Sequence, residues 1–462
     1  LHREYVTLAV LAALMSTFAV IRHTRQNEEL GRSEVLRSTV VGRYADLTAA
    51  VVLSTVANIL LALLIGTALI VSGQPFVGSM LAGASVAAVG VLWVSVTAVA
   101  CQLSSTTRGA AGLSSAALGL AFVLSGIGNM LGSVDEAGLR VTSSWPAWLS
   151  PIGWGQQTRP FGGAHWWPLL LVICAFAVLL AVALMLISRR DVGRGLVPER
   201  KGPADAKRTL LSTVGLTWRL QRPVFTTWAA GLVVFGLIFG SLTEQIQGMT
   251  GTSADWWTEV GGTAVLVDAY KVSIIQMAGV FVAIYVVQLL LRMRTDESGG
   301  TLESLLASGV SRGRWMWGHI VNAAVGSCAL IVLFAASMAL TAGQVLGETA
   351  VQMRELVWAG LLQVPGILFV GAVIVAVASI GSRWAVPVSW AFLLAVIVVG
   401  PMFGPGLDLP AWVQDLSPFT HSPKTPGVPI DATAPILIMG LCVAITATSL
   451  SRLRHRDLVL PA

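Results

Sequence analysis

The stretch WPLLLVICAFAVLLAVALMLI (167–187) carries no charged residue and no alternation of apolar with polar positions. A run of this kind is long enough to cross the roughly 30 Å hydrocarbon core of a bilayer as a helix. Inside lipid every backbone N–H and C=O must be satisfied within the protein, so a continuous apolar run crosses as an α-helix. Outward from it the whole chain has the same character. Of 462 residues, 55% are hydrophobic and only 11% are charged, against roughly a quarter charged in soluble domains; the mean hydropathy is +0.78. This excludes a soluble enzyme, a nucleic-acid-binding domain and a disordered tail. Transmembrane β-barrels are excluded by the absence of dyad alternation. The expected fold is all-α, a polytopic helical membrane protein. Eleven apolar runs lie near 5–21, 47–70, 78–101, 109–132, 167–187, 225–243, 272–291, 315–341, 356–380, 384–403 and 434–451.

The charges between these runs set an orientation. With the loop 22–43 placed in the cytoplasm, strict alternation puts 23 of the 29 lysines and arginines on that side. Only Arg3, Arg140, Arg159, Lys271, Arg354 and Lys424 remain outside. The asymmetry follows the positive-inside rule and places the C-terminus in the cytoplasm. The loops assigned outside are aromatic and acidic, as in Asp255, Trp256, Trp257, Glu259 and Asp268; their tryptophans read as interfacial anchors. Cys101, Cys174, Cys328 and Cys442 lie far apart in or beside apolar runs, as small core- or lipid-facing residues rather than disulfides or ligands. The six histidines show no metal-binding spacing.

The segment RQNEELGRSEVLRSTVVGR (25–43) aligns without gaps on RTDESGGTLESLLASGVSR (294–312). Shared positions are Arg25/Arg294, Glu28/Glu297, Gly31/Gly300, Glu34/Glu303, Leu36/Leu305 and Arg43/Arg312. A second pair, PAWLSP (146–151) and PAWVQDLSP (410–418), precedes the last apolar run of each half. Matching order and sidedness indicate a tandem duplication about an axis along the membrane normal. The expected organisation is a first transmembrane half over 1–188, a cytoplasmic linker and amphipathic connector over 189–222, and a second half over 223–462. In the connector, Leu210, Leu211, Val214 and Trp218 recur at helical spacing. They predict a short helix on the inner surface before Pro223 opens the next crossing. The halves hold five and six runs, and Leu1 aligns with Tyr270. A further helix ahead of Leu1, corresponding to 225–243, is therefore expected, giving six plus six.

Ionisable groups in mid-membrane mark ion-coupled carriers, yet the helix centres here hold none. The polar residues there are neutral: Asn58, Gln276, Gln288, Asn322 and Gln363. Asp46 stands at a helix mouth and reads as an interfacial charge. A phosphate-cradling loop needs Gly-Lys-Ser/Thr, and none of Lys201, Lys207, Lys271 and Lys424 follows a glycine. Energy for any movement is therefore expected from another subunit on the cytoplasmic face. The duplicated charged segments are the expected contact. Positive-inside placement accounts for their arginines but not for the paired glutamates and glycines. Each glycine permits a sharp break, and the runs 34–41 and 303–310 are expected to form short helices along the membrane. Glu28, Glu34, Glu297 and Glu303 are expected in the aqueous layer, where reversing their charge uncouples the partner without unfolding the chain.

At these residues the sequence resembles the ABC-2-type permeases, in the region of their coupling helix. The E-x-x-G-x-x-E-x-L pattern ending in Arg, and the LSP before the last helix of each half, carry the likeness. The double-length form is similar to polyketide-antibiotic (tetronasin-type) and multidrug exporters. The resemblance implies a non-catalytic permease subunit in a bacterial plasma membrane, served by two copies of an ATPase subunit that hold the ATP and Mg. It assigns ATPase coupling to Arg25, Glu28, Gly31, Glu34 and Arg43, and to Arg294, Glu297, Gly300, Glu303 and Arg312. The implied cargo is a hydrophobic or amphiphilic drug or polyketide, with Asn58, Gln276, Gln288, Asn322 and Gln363 as pathway candidates. Many relatives have Pro before the terminal Ser-Arg; here stand Thr39–Val40 and Ser308–Gly309, and Gly42 replaces Ser. Docking strength at the two copies is therefore expected to differ. The rival readings are a lipid or cell-envelope precursor exporter of the same architecture and an ion-coupled secondary carrier.

Overall fold

The computed structural model describes residues 2–33, 42–134, 141–191, 193–197, 205–206, 208–247, 257–258, 261, 265–381, 384–407, 409–428 and 432–455. The chain divides into two compact units, Leu1–Gly202 and Pro203–Ala462. The first contains α1 (His2–His23), α2 (Arg25–Glu29), α3 (Ala45–Val71), α4 (Phe76–Leu103), α5 (Thr107–Met130), α6 (Pro151–Gln156) and α7 (Pro168–Ser188). A two-residue antiparallel ladder, Ser133–Val134 with Val141–Thr142, is the strand structure among the described residues.

Helix α4 is the centre of this unit, packed by α1, α3, α5 and α7. Its small residues make that possible, because lipid gives helices no hydrophobic reason to associate and close backbone packing must supply one. A Cβ at Gly83 would stand 2.2 Å from the Ala62 carbonyl oxygen of α3. Buried hydroxyls add specific ties. Ser114 of α5 lies 3.0 Å from the Thr17 hydroxyl of α1 and 2.9 Å from that of Thr97 on α4.

The second unit contains α8 (Thr213–Ser241), α9 (Thr243–Gln247), α10 (Leu266–Ser298), α11 (Thr301–Ala307), α12 (Arg312–Leu346), α13 (Thr349–Leu361), α14 (Val364–Ile380), α15 (Ala385–Val399), α16 (Ala411–Gln414) and α17 (Thr433–His455). Here α10 is central, and Tyr285, Leu290, Ile331 and Phe334 are buried in its contacts with neighbouring helices. Helix α8 lies along α12, so close that a Cβ at Gly240 would stand 2.2 Å from the Met338 carbonyl oxygen.

Among the described residues, ten helices are long and apolar enough to cross a membrane, with α1–α2 and α13–α14 each counting as one. The protein is a multi-pass helical membrane protein. The eleventh expected run is shorter than its sequence reading: α15 spans 15 residues, roughly 22 Å at 1.5 Å per residue. Pro401 accounts for the early stop, because the residue before a proline is pushed out of the α region, and Gly400 is extended at ψ 179°. The connector also differs. Pro223 does not open a crossing but lies inside the continuous helix α8. That helix starts ten residues earlier, where the Ser212 hydroxyl accepts the Gly215 N–H at 3.0 Å. Proline removes one backbone donor from the helix, and nearby the Arg292 guanidinium donates to the Leu220 carbonyl at 3.1 Å. Trp145, Trp167 and Trp412 are exposed, whereas Asp255, Trp256 and Glu259 lie outside the described residues.

Candidate functional site

Both copies of the charged segment form the same elbow. Helix α2 ends as the Leu30 N–H donates to Gln26 O (3.0 Å) and the Gly31 N–H to Glu28 O (3.1 Å). Helix α10 ends as Gly299 donates to Thr295 O (2.9 Å) and Gly300 to Glu297 O (3.3 Å). These are equivalent positions of the repeat. Gly31 and Gly300 turn the chain at φ +71° and +73°, the left-handed region where a side chain is strained. A Cβ at Gly31 would touch nothing within 4 Å, so the requirement there is conformational rather than steric.

After the second elbow the chain forms α11, pinned by buried Leu302 and by Thr301, whose hydroxyl donates to Asp296 O at 3.0 Å. Glu303 is exposed on this short helix. Gly309 (φ +87°) follows it, and Ser311 then caps α12 as Arg312 begins that helix. In the first copy Arg43 is exposed, while Glu34 and the rest of 34–41 lie outside the described residues.

The glutamates do not share one environment. The Glu28 side chain is 6% exposed and so is not the freely solvated surface charge expected of it. Its carboxylate is paired with buried Arg25 three residues earlier and receives both terminal nitrogens of Arg190, at 2.9 and 2.6 Å. Glu297 is likewise buried, with Arg294 at 3.8 Å. A small cavity of about 10 Å³ lies beside it, walled by Trp315, Met316, Ser379 and Leu453, room for about one water. The reason is that each glutamate sits on the packed side of a helix end and not on the outward face that carries Glu303. Neighbouring charges extend the second elbow: Asp296 lies 3.7 Å from Arg292 and 3.5 Å from His319, which also contacts Gln221 at 3.2 Å.

The neutral pathway candidates fall into two groups. Asn58 is fully buried and donates to the Ser16 hydroxyl and Ser54 O, both at 2.8 Å, tying α3 to α1. Asn322 donates to Val214 O (3.0 Å) and Gly318 O (2.7 Å), tying α12 to α8. Gln288 is exposed and accepts the Trp228 indole N–H at 3.0 Å. Gln276 and Gln363, like Asn58 through its Oδ1, leave buried amide atoms open. Both are buried; neither amide atom of Gln276, nor the Gln363 oxygen, has a hydrogen-bond partner. Gln363 stands in the break between α13 and α14 and packs on Gly279, one turn from Gln276 along α10. No group of three or more potential metal ligands occurs among the described residues.

Sequence reasoning missed several participants. Arg190, Gln102 and Glu29 belong to the first elbow, yet nothing in their local spacing marks them. The serines of the two LSP motifs were within reach, because the motif itself repeats. The Ser150 hydroxyl donates to Ala121 O of α5 at 2.6 Å, and Ser417 to Val396 O of α15 at 3.0 Å. In both halves the motif folds back on the preceding apolar helix.

Comparison with known proteins places this geometry in a context. Residues 210–454 match the family described as "Multidrug efflux system permease Rv1217c, C-terminal domain". The chain is similar to the multidrug efflux system permease protein Rv1217c of Mycobacterium tuberculosis (strain ATCC 25618 / H37Rv). The two are 34% identical over 454 residues, covering 98% of this chain and 80% of that protein.

Proposed function

This chain belongs to the family of the multidrug efflux system permease Rv1217c, and from that premise we propose that it is the permease subunit of an ATP-driven exporter, docked by two copies of a separate ABC ATPase. The observation that carries the docking reading is the repeated elbow. Two segments, one in each unit, reproduce the same helix end, the same pair of backbone hydrogen bonds and the same left-handed glycine. Duplicated geometry of this kind suits a duplicated partner.

On this reading the arginine-rich ends and the C-terminus are cytoplasmic, in a bacterial plasma membrane. ATP and Mg²⁺ are held by the partner, since the chain has no Gly-Lys-Ser/Thr loop. The exposed face of α11, with Glu303, meets the ATPase, and the elbows carry its movement into α2 and α10. The cargo is a hydrophobic or amphiphilic molecule such as a drug or polyketide antibiotic, matched by neutral amides among apolar side chains. Gln276, whose two buried amide atoms both lack partners, and Gln363 one turn away are the pathway candidates best fitted to touch it, because a wholly unpaired buried amide is costly.

The test is reconstitution in lipid nanodiscs and proteoliposomes. The chain alone hydrolyses no ATP; with its ABC ATPase bound, hydrolysis rises when ethidium is added, and vesicles accumulate ethidium only with ATP. Ethidium movement driven by a proton gradient in the absence of ATP overturns the proposal in favour of a secondary carrier.

A further inference from the structure

We propose that Arg190 is a positioning residue that clasps the first elbow to the arginine-rich end of its own unit, so that this elbow moves only together with the ends of α4 and α7. Arg190 follows α7 by two residues. Its two terminal nitrogens grip both carboxylate oxygens of Glu28, at 2.9 and 2.6 Å, in the fork-to-fork geometry that makes arginine pairs directional. Its Nε donates to the Gln102 side chain at the end of α4, at 2.6 Å. Three elements therefore meet on one guanidinium.

The chain beyond Arg190 lies over the end of α4 as a strap. The Leu196 and Val197 N–H groups donate to Gln102 O and Leu103 O, each at 3.0 Å. Gly195 passes so close that a Cβ there would stand 2.5 Å from the Ser104 carbonyl carbon. On the other side of the elbow, the Glu29 carboxylate accepts the Thr107 N–H at 2.9 Å, at the start of α5.

The charges separate positioning from neutralisation. Arg25 and Glu28 already form a balanced buried pair, so Arg190 is not needed to compensate either of them. Removing Arg190 leaves that pair intact and takes away the charged tie between elbow and strap. A fork that holds the elbow against both α4 and the strap, without being required for charge balance, is a mechanical link. The consequence for transport rests on the exporter reading, in which force arrives at the elbow; the clasp itself does not.

The experiment uses the full chain in nanodiscs as wild type, Arg190→Ala and Arg190→Lys, each with and without the ABC ATPase. Hydrogen exchange of residues 25–31 and 193–197 is measured alongside ATPase co-purification, basal hydrolysis and ethidium-stimulated hydrolysis. Arg190→Ala is expected to remain folded and to bind the ATPase, with amides of both segments exchanging about tenfold faster. Ethidium stimulation, taken as the ratio to the same variant's basal hydrolysis, is expected to fall by about fivefold or more. Lysine, which keeps the charge but not the fork, restores part of both. Unchanged exchange in 25–31 refutes the clasp, whatever the ATPase does. Faster exchange with full stimulation refutes its role in positioning. If the wild-type chain shows no ATP-coupled turnover at all, the exporter reading fails, and exchange still decides the clasp.

Discussion

Replacing Glu28 with glutamine tests the first elbow most directly, because the change keeps the shape and removes only the charge. In the structure the Glu28 side chain is 6% exposed, and its cationic partners Arg25 and Arg190 are 0% and 8% exposed. Glutamine would leave two buried guanidinium groups facing a neutral amide. Removing one partner of a buried ion pair costs about 3–5 kcal/mol, chiefly because the remaining charge is left without compensation. Against a total stability of about 5–15 kcal/mol this is a large fraction. Deleting Arg190 instead leaves Arg25 and Glu28 balanced, so Arg190→Ala should cost distinctly less than Glu28→Gln. The double variant Glu28→Gln/Arg190→Ala should recover part of the loss, since one of the two stranded cations is gone. The assay is reversible denaturant unfolding of all four proteins in one detergent, arranged as a double-mutant cycle. The reasoning is refuted if Glu28→Gln lies within about 0.5 kcal/mol of wild type, the range of ordinary surface changes, or if Arg190→Ala is the more damaging single variant.

Glu303→Lys, on the exposed face of α11, should change stability by less than about 0.5 kcal/mol yet weaken ATPase co-purification, as charge reversal at an interface does; unaltered binding would remove α11 from the docking surface. Gly31→Val and Gly300→Val force a branched side chain into φ near +70°, at a cost of about 1–2 kcal/mol or more. Both should reduce substrate-stimulated hydrolysis more than asparagine at the same positions, and equal behaviour of valine and asparagine would show that the left-handed turn is unimportant. Ser417→Ala removes the hydroxyl from the Val396 carbonyl and should lower stability by about 0.6 kcal/mol, the usual size of an interhelical hydrogen bond in a membrane; a loss above about 2 kcal/mol would mean that the LSP serine does more than close this carbonyl.

How much of this was legible in the sequence depends on the range of the interactions involved. Hydropathy marked the crossings, because satisfying the backbone in lipid is a local demand met by each helix alone. The repeat marked the elbows, because Gly31 and Gly300 report a backbone conformation that a single residue type announces. Local rules failed where two of them competed. Pro223 resembled a helix start, but Ser212 had already capped the same helix eleven residues earlier; the run after Trp384 looked long enough to cross until Pro401 turned Gly400 out of the α region. The largest omission was the environment of Glu28. Its i,i+3 spacing to Arg25 could be read, whereas Arg190, the residue that holds it to α4 and the strap, lies 162 positions away. In the second copy Glu297 stands in the same spacing to Arg294, the charges 3.8 Å apart beside a small cavity. Equal sequence therefore gave equal turns. The turn is set by four or five consecutive residues, and duplication copies those together. The surroundings are set by whatever chain packs against the turn, and duplicated halves can diverge there without disturbing the fold.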